Sequence, residues 1–154
     1  MRLMILLALL LVSGNLSVLA QGAIKRVRHV SRFELAVACI KKYEGLHGPK
    51  HHPYVGYGHK LLPGEKFSTR MTERQADALL RSDLRKLCAM FRDFGRDSLL
   101  LAALAYNVGC GKVMKSRMYA KMRSGNRNIY RDYVDFKRWN GKIVPSSERR
   151  RKME

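Results

Sequence analysis

The spacing of apolar residues just after residue 30 predicts the first helix of the chain. These residues recur at every third or fourth position, which places them on one face of a helix. They are Phe33, Val37, Ile40 and Tyr43. Ser31 and Glu34 form a capping-box pair at the start, and Gly45 tolerates the left-handed backbone that ends a helix. The pattern therefore predicts a helix with Glu44 on its last turn.

A second apolar stripe follows another capping box, formed by Thr72 and Gln75. The stripe consists of Ala76, Leu79, Leu80, Leu84, Leu87 and Phe91. After Gly95, residues 99–108 are apolar on nearly every side, and a helix of that kind lies in the interior. We therefore expect two long helices here, with the second at the centre of the domain.

The segment between the first helix and Thr72, residues 46–70, has a different pattern. Gly48, Pro49 and Pro53 are incompatible with a helix, and residues 54–59 alternate like a short strand. The segment predicts a small β lobe of two or three strands.

The C-terminal part shows weaker patterns. Helices are expected at about residues 113–123 and 127–137, a turn at 139–141, and a last, very basic helix from Ser146 or Ser147. A helix, a small β lobe and a larger helical lobe together predict an α+β fold.

The N-terminus has the layout of a secretory signal. Arg2 precedes an apolar run at residues 3–12, and small residues lead up to Ala20. The run is shorter than the roughly 20 residues that span a bilayer, so an uncleaved anchor is the weaker alternative. We expect a signal peptide at residues 1–20, a basic lead-in at 21–30 and one domain at 31–154, in a protein that is exported to the periplasm or secreted.

The net charge of +19 favours a polyanionic partner. Anionic wall polymers, a membrane surface and nucleic acid all fit that charge, but export argues against nucleic acid as a dedicated partner. Three cysteines are too few for a disulfide framework and lack the paired spacing of a zinc site, so we expect neither a metal nor a cofactor. We expect Cys39 to approach Cys88 closely enough for a disulfide, with Cys110 unpaired. Two buried thiols are the alternative.

Glu44 is the leading candidate for acid catalysis. A carboxyl group on the last turn of a helix lies at the negative end of the helix dipole, which favours its protonated form. Cleavage of an acetal needs such a proton donor, because the leaving sugar oxygen departs only when it is protonated. A solvated glutamate before a glycine cap is the alternative.

A second carboxylate, Asp83, lies on the apolar face of the helix that begins behind Thr72. A buried carboxylate needs a partner, and His59, at the end of the predicted strand, is the best placed. We expect this ion pair to join the two lobes as a structural contact. A solvated Asp83 at the margin of the stripe is the alternative.

Two more polar residues are candidates for a substrate cleft. Asn107 ends an otherwise apolar helix, where it is placed to bind a sugar amide or to cap its own helix. Arg149, in the basic run at residues 147–151, is the cation that we expect to orient Glu44, although such a run is often only solvated.

These segments occur in one order that resembles the phage-type lysozymes, glycoside hydrolase family 24. The resemblance covers about residues 31–154, and the ordered set is more specific than any single segment. The matching segments are 42–46, 55–59, 72–83, 104–109, Trp139 and 145–150.

The resemblance implies a lysozyme-like fold with a cleft between the two lobes. It also implies hydrolysis of the β-1,4 bond between N-acetylmuramic acid and N-acetylglucosamine in peptidoglycan. Glu44 matches the catalytic glutamate of the family, His59 and Asp83 match its buried ion pair, and Asn107 and the region of Arg149 match positions in the cleft.

The chain departs from the family where a second catalytic carboxylate is expected. Members usually carry an aspartate shortly after the glutamate, and then a threonine before the Gly-x-Gly-His segment. Here residues 48–54 contain no carboxylate, and Tyr54 occupies the threonine position. We expect His51 or His52 to activate water, and Tyr54 and Tyr57 to contact the substrate.

The sequence therefore predicts a monomeric peptidoglycan muramidase with Glu44 as its general acid. A lytic transglycosylase that uses a single glutamate is the first alternative. A cationic protein that binds the cell wall or a membrane without catalysis is the second.

Overall fold

The computed structural model of the chain describes residues 30–139 and 142–153, and for Arg138 and Trp139 it describes the backbone alone. The predicted signal peptide, most of the basic lead-in and the tip of the turn at residues 140–141 lie outside the described residues. Arg32–Glu154 form one compact unit. None of the described helices is both long and apolar enough to cross a membrane.

The first helix, α1, spans Arg32–Glu44, as the apolar spacing predicts. Its buried side chains are Val37, Cys39 and Ile40. Gly45 has a φ of 66°, and its N–H donates to the carbonyl of Lys41 at 3.1 Å. This glycine ends the helix and leaves Glu44 as its last residue.

The β lobe contains a hairpin of strands β1 (Tyr54–Val55) and β2 (His59–Lys60), after a 3₁₀ turn at Pro49–His51. The strands are antiparallel, with Tyr54 opposite Lys60 and Val55 opposite His59. The prediction of a single strand over residues 54–59 is therefore wrong. Gly56 and Gly58 have φ values of 59° and 98°, a backbone that reverses the chain and that glycine adopts without strain.

Two long helices form most of the core. Helix α2 spans Glu73–Met90, and its start is the predicted capping box of Thr72 and Gln75. After a 3₁₀ segment at Arg92–Asp97, helix α3 spans Ser98–Val108 and packs along α2. The buried residues of these helices are Ala76, Leu79, Leu80, Leu84, Leu101, Ala102, Ala103, Leu104 and Ala105. The central position of α3 agrees with its apolar sequence.

The C-terminal part is more fragmented than its sequence pattern predicts. Helices α4 (Cys110–Met114) and α5 (Arg117–Arg123) replace the single helix expected at residues 113–123. The break occurs because the Ser116 hydroxyl accepts a hydrogen bond from the Tyr119 N–H at 3.1 Å, which starts a new helix.

The helix expected at residues 127–137 is reduced to α6 (Tyr130–Val134) and a 3₁₀ turn at Asp135–Lys137. A second hairpin of β3 (Arg138–Trp139) and β4 (Lys142–Ile143) follows, which the sequence pattern did not predict. Helix α7 then spans Pro145–Met153. It begins at a proline, one residue before the earlier of the two expected starts, and proline suits the first turn of a helix.

The expected disulfide between Cys39 and Cys88 is absent, because Cys88 carries a free thiol. The two residues belong to different surroundings. Cys39 lines a cavity of about 400 Å³ together with Leu99 and Ala103, whereas Cys88 packs against the main core cluster. Burial raises the pKa of the Cys88 thiol above its usual value.

Candidate active site

Glu44 lies at the end of α1, where three parts of the chain meet. Its side chain is 22% exposed, so it is neither buried in the core nor free in bulk solvent. Arg150 of α7 and Asn107 of α3 contact its carboxylate, and Gly58 of the first hairpin faces it. The acid predicted from the sequence thus lies between the β lobe and the helical part.

Arg150, and not Arg149, is the arginine that binds Glu44. Its Nη1 donates to Oε1 of Glu44 at 2.5 Å, and its side chain is only 3% exposed. Arg149 is exposed. The assignment of Arg149 is therefore wrong by one position. Adjacent residues point about 100° apart around a helix, so a one-residue shift moves a side chain to another face.

Asn107 connects the acid to a second arginine. Its Nδ2 donates to Oε1 of Glu44 at 3.3 Å, and its Oδ1 accepts a hydrogen bond from Arg151. Gly109, with a φ of 87°, ends α3 two residues after Asn107. Arg150 and Arg151 are consecutive buried residues of α7, so the last helix holds both the acid and the amide.

The turn between β1 and β2 approaches the acid through its backbone. A Cβ atom at Gly58 would lie 3.6 Å from Oε2 of Glu44. The ring of Tyr57 is 6% exposed and belongs to the core, so the prediction that this side chain contacts substrate is wrong. Its carbonyl oxygen accepts a hydrogen bond from the hydroxyl of Tyr106 at 3.0 Å.

The loop that lacks the expected carboxylate carries a group of aromatic rings. His47 stacks on His51 with 4.6 Å between ring centroids, and Tyr54 lies edge-on to His47 at 6.3 Å. Tyr54 is 42% exposed, which leaves its ring available to a sugar. His52 is exposed.

The hydrogen bonding of His51 bears on its predicted role as a base. Its Nδ1 lies 3.0 Å from the Gly48 nitrogen and 3.2 Å from the carbonyl oxygen of the same residue. It accepts from the N–H in one tautomer and donates to the carbonyl in the other, so Nδ1 is engaged by the backbone in both. These contacts leave both His51 and His52 as candidates for the base.

Most other carboxylates of the described residues are held in ion pairs with different partners. Their cations include Arg81, His59 and Arg127. The paired carboxylates include Glu34, Glu65, Asp77, Asp83, Asp97, Asp132 and Glu148.

His59 forms the predicted contact with Asp83 and a second one that the sequence did not indicate. Its Nδ1 lies 2.6 Å from Oδ2 of Asp83, and its Nε2 lies 2.9 Å from Oε2 of Glu65. Burial alone would lower the pKa of His59, but the hydrogen bonds to Glu65 and Asp83 raise it above its usual value of 6.5. The His59 ring thus links the hairpin, the loop that follows it and α2.

This cluster predicts a particular dependence of stability on pH. Because the pKa of His59 is raised on folding, its contribution is complete below about pH 6.5 and is lost as the pH rises through the folded value. The Leu62 N–H and His59 lower the pKa of Glu65, so the contribution of Glu65 to stability is lost as the pH falls through its folded pKa. Urea unfolding of His59→Gln should show a deficit of about 2 kcal/mol near pH 5.5 that shrinks towards pH 9. His52→Gln is the matched control, and an equal deficit at both pH values would contradict the prediction.

No three histidine, cysteine or acidic side chains among the described residues come close enough together to hold a metal ion. The site consists of the carboxyl group of Glu44, the amide of Asn107 and the two arginines that hold them, Arg150 and Arg151. Such a set can donate a proton and then stabilise the negative charge that remains. The sequence alone did not single out Arg150, Arg151, Tyr106 or Glu65.

Comparison with known proteins identifies a matching family and two solved structures with a similar fold. The family model described as Phage lysozyme matches residues 41–154. The muramidase domain of SpmX from Asticaccaulis excentricus is 24% identical, with a TM-score of 0.63 over 80% of this chain and 92% of that chain. The endolysin of Escherichia coli O157:H7 phage FAHEc1 is 21% identical, with a TM-score of 0.60 over 80% of this chain and 90% of that chain.

At these identities, the two structures show a shared fold and confirm the predicted α+β, lysozyme-like class. None of the curated proteins compared with the chain matches it. The family model covers most of the sequence, including Glu44, the first hairpin and α7, and it supports a peptidoglycan-lytic activity. The chain belongs to the phage lysozyme family.

Proposed function

We propose that this protein cleaves the β-1,4 bond between N-acetylmuramic acid and N-acetylglucosamine, with Glu44 donating the proton to the leaving oxygen. The observation that carries the proposal is the position of Glu44, half-buried between the first hairpin and the helical part with its carboxylate held by Arg150 at 2.5 Å.

The surroundings of Glu44 suit the charge change of this step. Proton donation leaves Glu44 negatively charged, and Arg150 and Asn107 both contact its Oε1. Donors that are already in place stabilise a developing charge without further rearrangement. Gly58 presents no side chain to the carboxyl group, and a Cβ atom there would lie 3.6 Å from Oε2.

Two reactions at C1 of N-acetylmuramic acid fit the site. In hydrolysis, water attacks C1 and a base takes its proton, for which His52 or His51 is the candidate. In transglycosylation, the 6-hydroxyl of N-acetylmuramic acid attacks C1, its proton passes to the Glu44 carboxylate, and a 1,6-anhydro end forms. The absence of a carboxylate from residues 48–54 is the observation that favours this second reaction.

The proposed setting is outside the cytoplasm, where peptidoglycan lies. An apolar run at residues 3–12 fits export, with cleavage near Ala20. The charge of +19 fits adhesion to anionic wall polymers or to a membrane surface. We propose that the protein acts as a monomer on peptidoglycan and without a cofactor.

Digestion of purified sacculi in H₂¹⁸O, followed by mass spectrometry, tests the proposal. Hydrolysis gives muropeptides whose N-acetylmuramic acid ends carry one ¹⁸O atom, whereas transglycosylation gives anhydro ends without the label. Release of N-acetylglucosamine ends would show that the other glycosidic bond is cut. Binding to sacculi without any release would favour the non-catalytic alternative and overturn the proposal.

A further inference from the structure

Tyr106 carries a buried hydroxyl group that the proposed proton transfer does not use. It lies on the last turn of α3, directly before Asn107. Its hydroxyl donates to the carbonyl of Tyr57, a residue 49 positions away in sequence. Burial raises the pKa of the Tyr106 phenol, and the charges of Asp83 and Glu44 raise it further. This shift favours the protonated phenol, which is the form that donates the hydrogen bond.

The hydrogen bond from Tyr106 is made to the turn between β1 and β2, which faces the carboxyl group of Glu44. Tyr57 lies between Gly56 and Gly58, which both have positive φ. A Cβ atom at Gly56 would lie 3.4 Å from Cβ of Ala76 on α2, so the turn is packed against that helix. On its other side, Gly58 faces the carboxyl group of Glu44. A displacement of this turn would change the space beside the acid.

The last turn of helix α3 therefore contacts both Glu44 and the hairpin backbone that faces it. Asn107 contacts the carboxylate of Glu44 at 3.3 Å, and Tyr106 holds the backbone opposite it at 3.0 Å. Reacting groups must approach to about 3 Å, and a misplacement of about 1 Å can cost 100-fold in rate. Two consecutive side chains on one rigid helix are well suited to fix such a distance.

We propose that Tyr106 is a positioning residue whose hydrogen bond to the Tyr57 carbonyl sets the distance between Gly58 and Glu44. The inference rests on the proposed function, since it assigns a role in the placement of the glycan beside the proton donor. Substrate binding far from this point does not depend on the bond. The loss of the hydroxyl should therefore lower kcat and leave the affinity for sacculi unchanged.

Tyr106→Phe is the direct test, because it removes one oxygen and keeps the ring. We expect kcat for lysis of sacculi to fall about tenfold, with co-sedimentation on sacculi within twofold of the unaltered protein. Tyr119→Phe is the matched control. Its half-buried ring packs against Phe91 and Phe94 at 6.3 and 5.2 Å, and it should keep full activity.

Two further measurements separate positioning from a general loss of stability. The Gly58 N–H donates to the Val55 carbonyl at 3.2 Å, and its hydrogen exchange should accelerate in Tyr106→Phe. Gly58→Ala should also lower kcat, and the double variant should lose less than the product of the two single effects, because both changes act on one turn.

Equal kcat for Tyr106→Phe and Tyr119→Phe, with unchanged exchange at Gly58, would overturn the inference and leave the proposed function standing. Independent effects of Tyr106→Phe and Gly58→Ala on kcat would overturn it as well. No release of muropeptides by the unaltered protein would instead overturn the proposed function, and with it the role assigned to Tyr106.

Discussion

Glu44→Gln is expected to lower the lysis of sacculi by between about 10²- and 10⁴-fold. Glutamine keeps the size of the side chain and can still accept a hydrogen bond from Arg150. It cannot supply a proton to the leaving oxygen, so the loss should appear in kcat. Initial rates of dye release from labelled sacculi measure it, together with thermal unfolding to show that the fold persists.

Glu34→Gln is the matched control for this substitution. Glu34 lies at the other end of α1 and is also held by an arginine, Arg81, at 2.6 and 2.8 Å. Because this pair is exposed, its loss should change stability little and leave the rate of lysis unchanged. If Glu44→Gln and Glu34→Gln lyse sacculi equally well, Glu44 is not the proton donor.

The fold was most predictable where local signals decide the structure. Helices α1 and α2 have an apolar stripe, and α2 has a capping box whose partners are only three residues apart, so the sequence nearby contains nearly all the information. The interior position of α3 followed from its uniformly apolar surface. The limits of α4, α5 and α6 were harder to predict, because short helices depend on single caps and on packing against their neighbours.

The first hairpin shows how a correct signal can lead to a wrong element. Residues 54–59 alternate as a strand does, yet Gly56 and Gly58 have positive φ and turn the chain back within that segment. Alternation reports which side chains are buried and says little about the direction of the backbone. The pair of glycines was the better indicator of a turn.

Some features of the candidate site also follow from local sequence, whereas others depend on distant contacts. The position of Glu44 follows from the glycine that ends α1, which is a local feature. The partners of His59 and Glu44 depend on how distant segments pack, and Arg150 is 106 residues from the acid it binds. The choice between Arg149 and Arg150 turns on the rotation of α7, which neither its composition nor its charge reveals.

Arg150→Met is expected to lower lysis by about 10- to 100-fold, because the carboxyl group of Glu44 loses the contact that orients it. Methionine fills much of the volume of the arginine stem, and the main loss is the 2.5 Å ion pair. Since Glu44 is 22% exposed, water partly replaces the arginine, and we expect a stability loss of about 1–3 kcal/mol. Kinetics of lysis and urea unfolding measure the two effects.

Arg149→Met provides a control that differs by one position on the same helix. Arg149 is exposed, so its loss should change the free energy of unfolding by less than about 0.5 kcal/mol and leave lysis intact. Arg150→Lys should retain part of the activity, since an ammonium group keeps the charge but not the planar geometry of the guanidinium. A larger defect in Arg149→Met than in Arg150→Met would mean that α7 presents its other face to the acid, and the assignment of Arg150 as the partner of Glu44 would then fail.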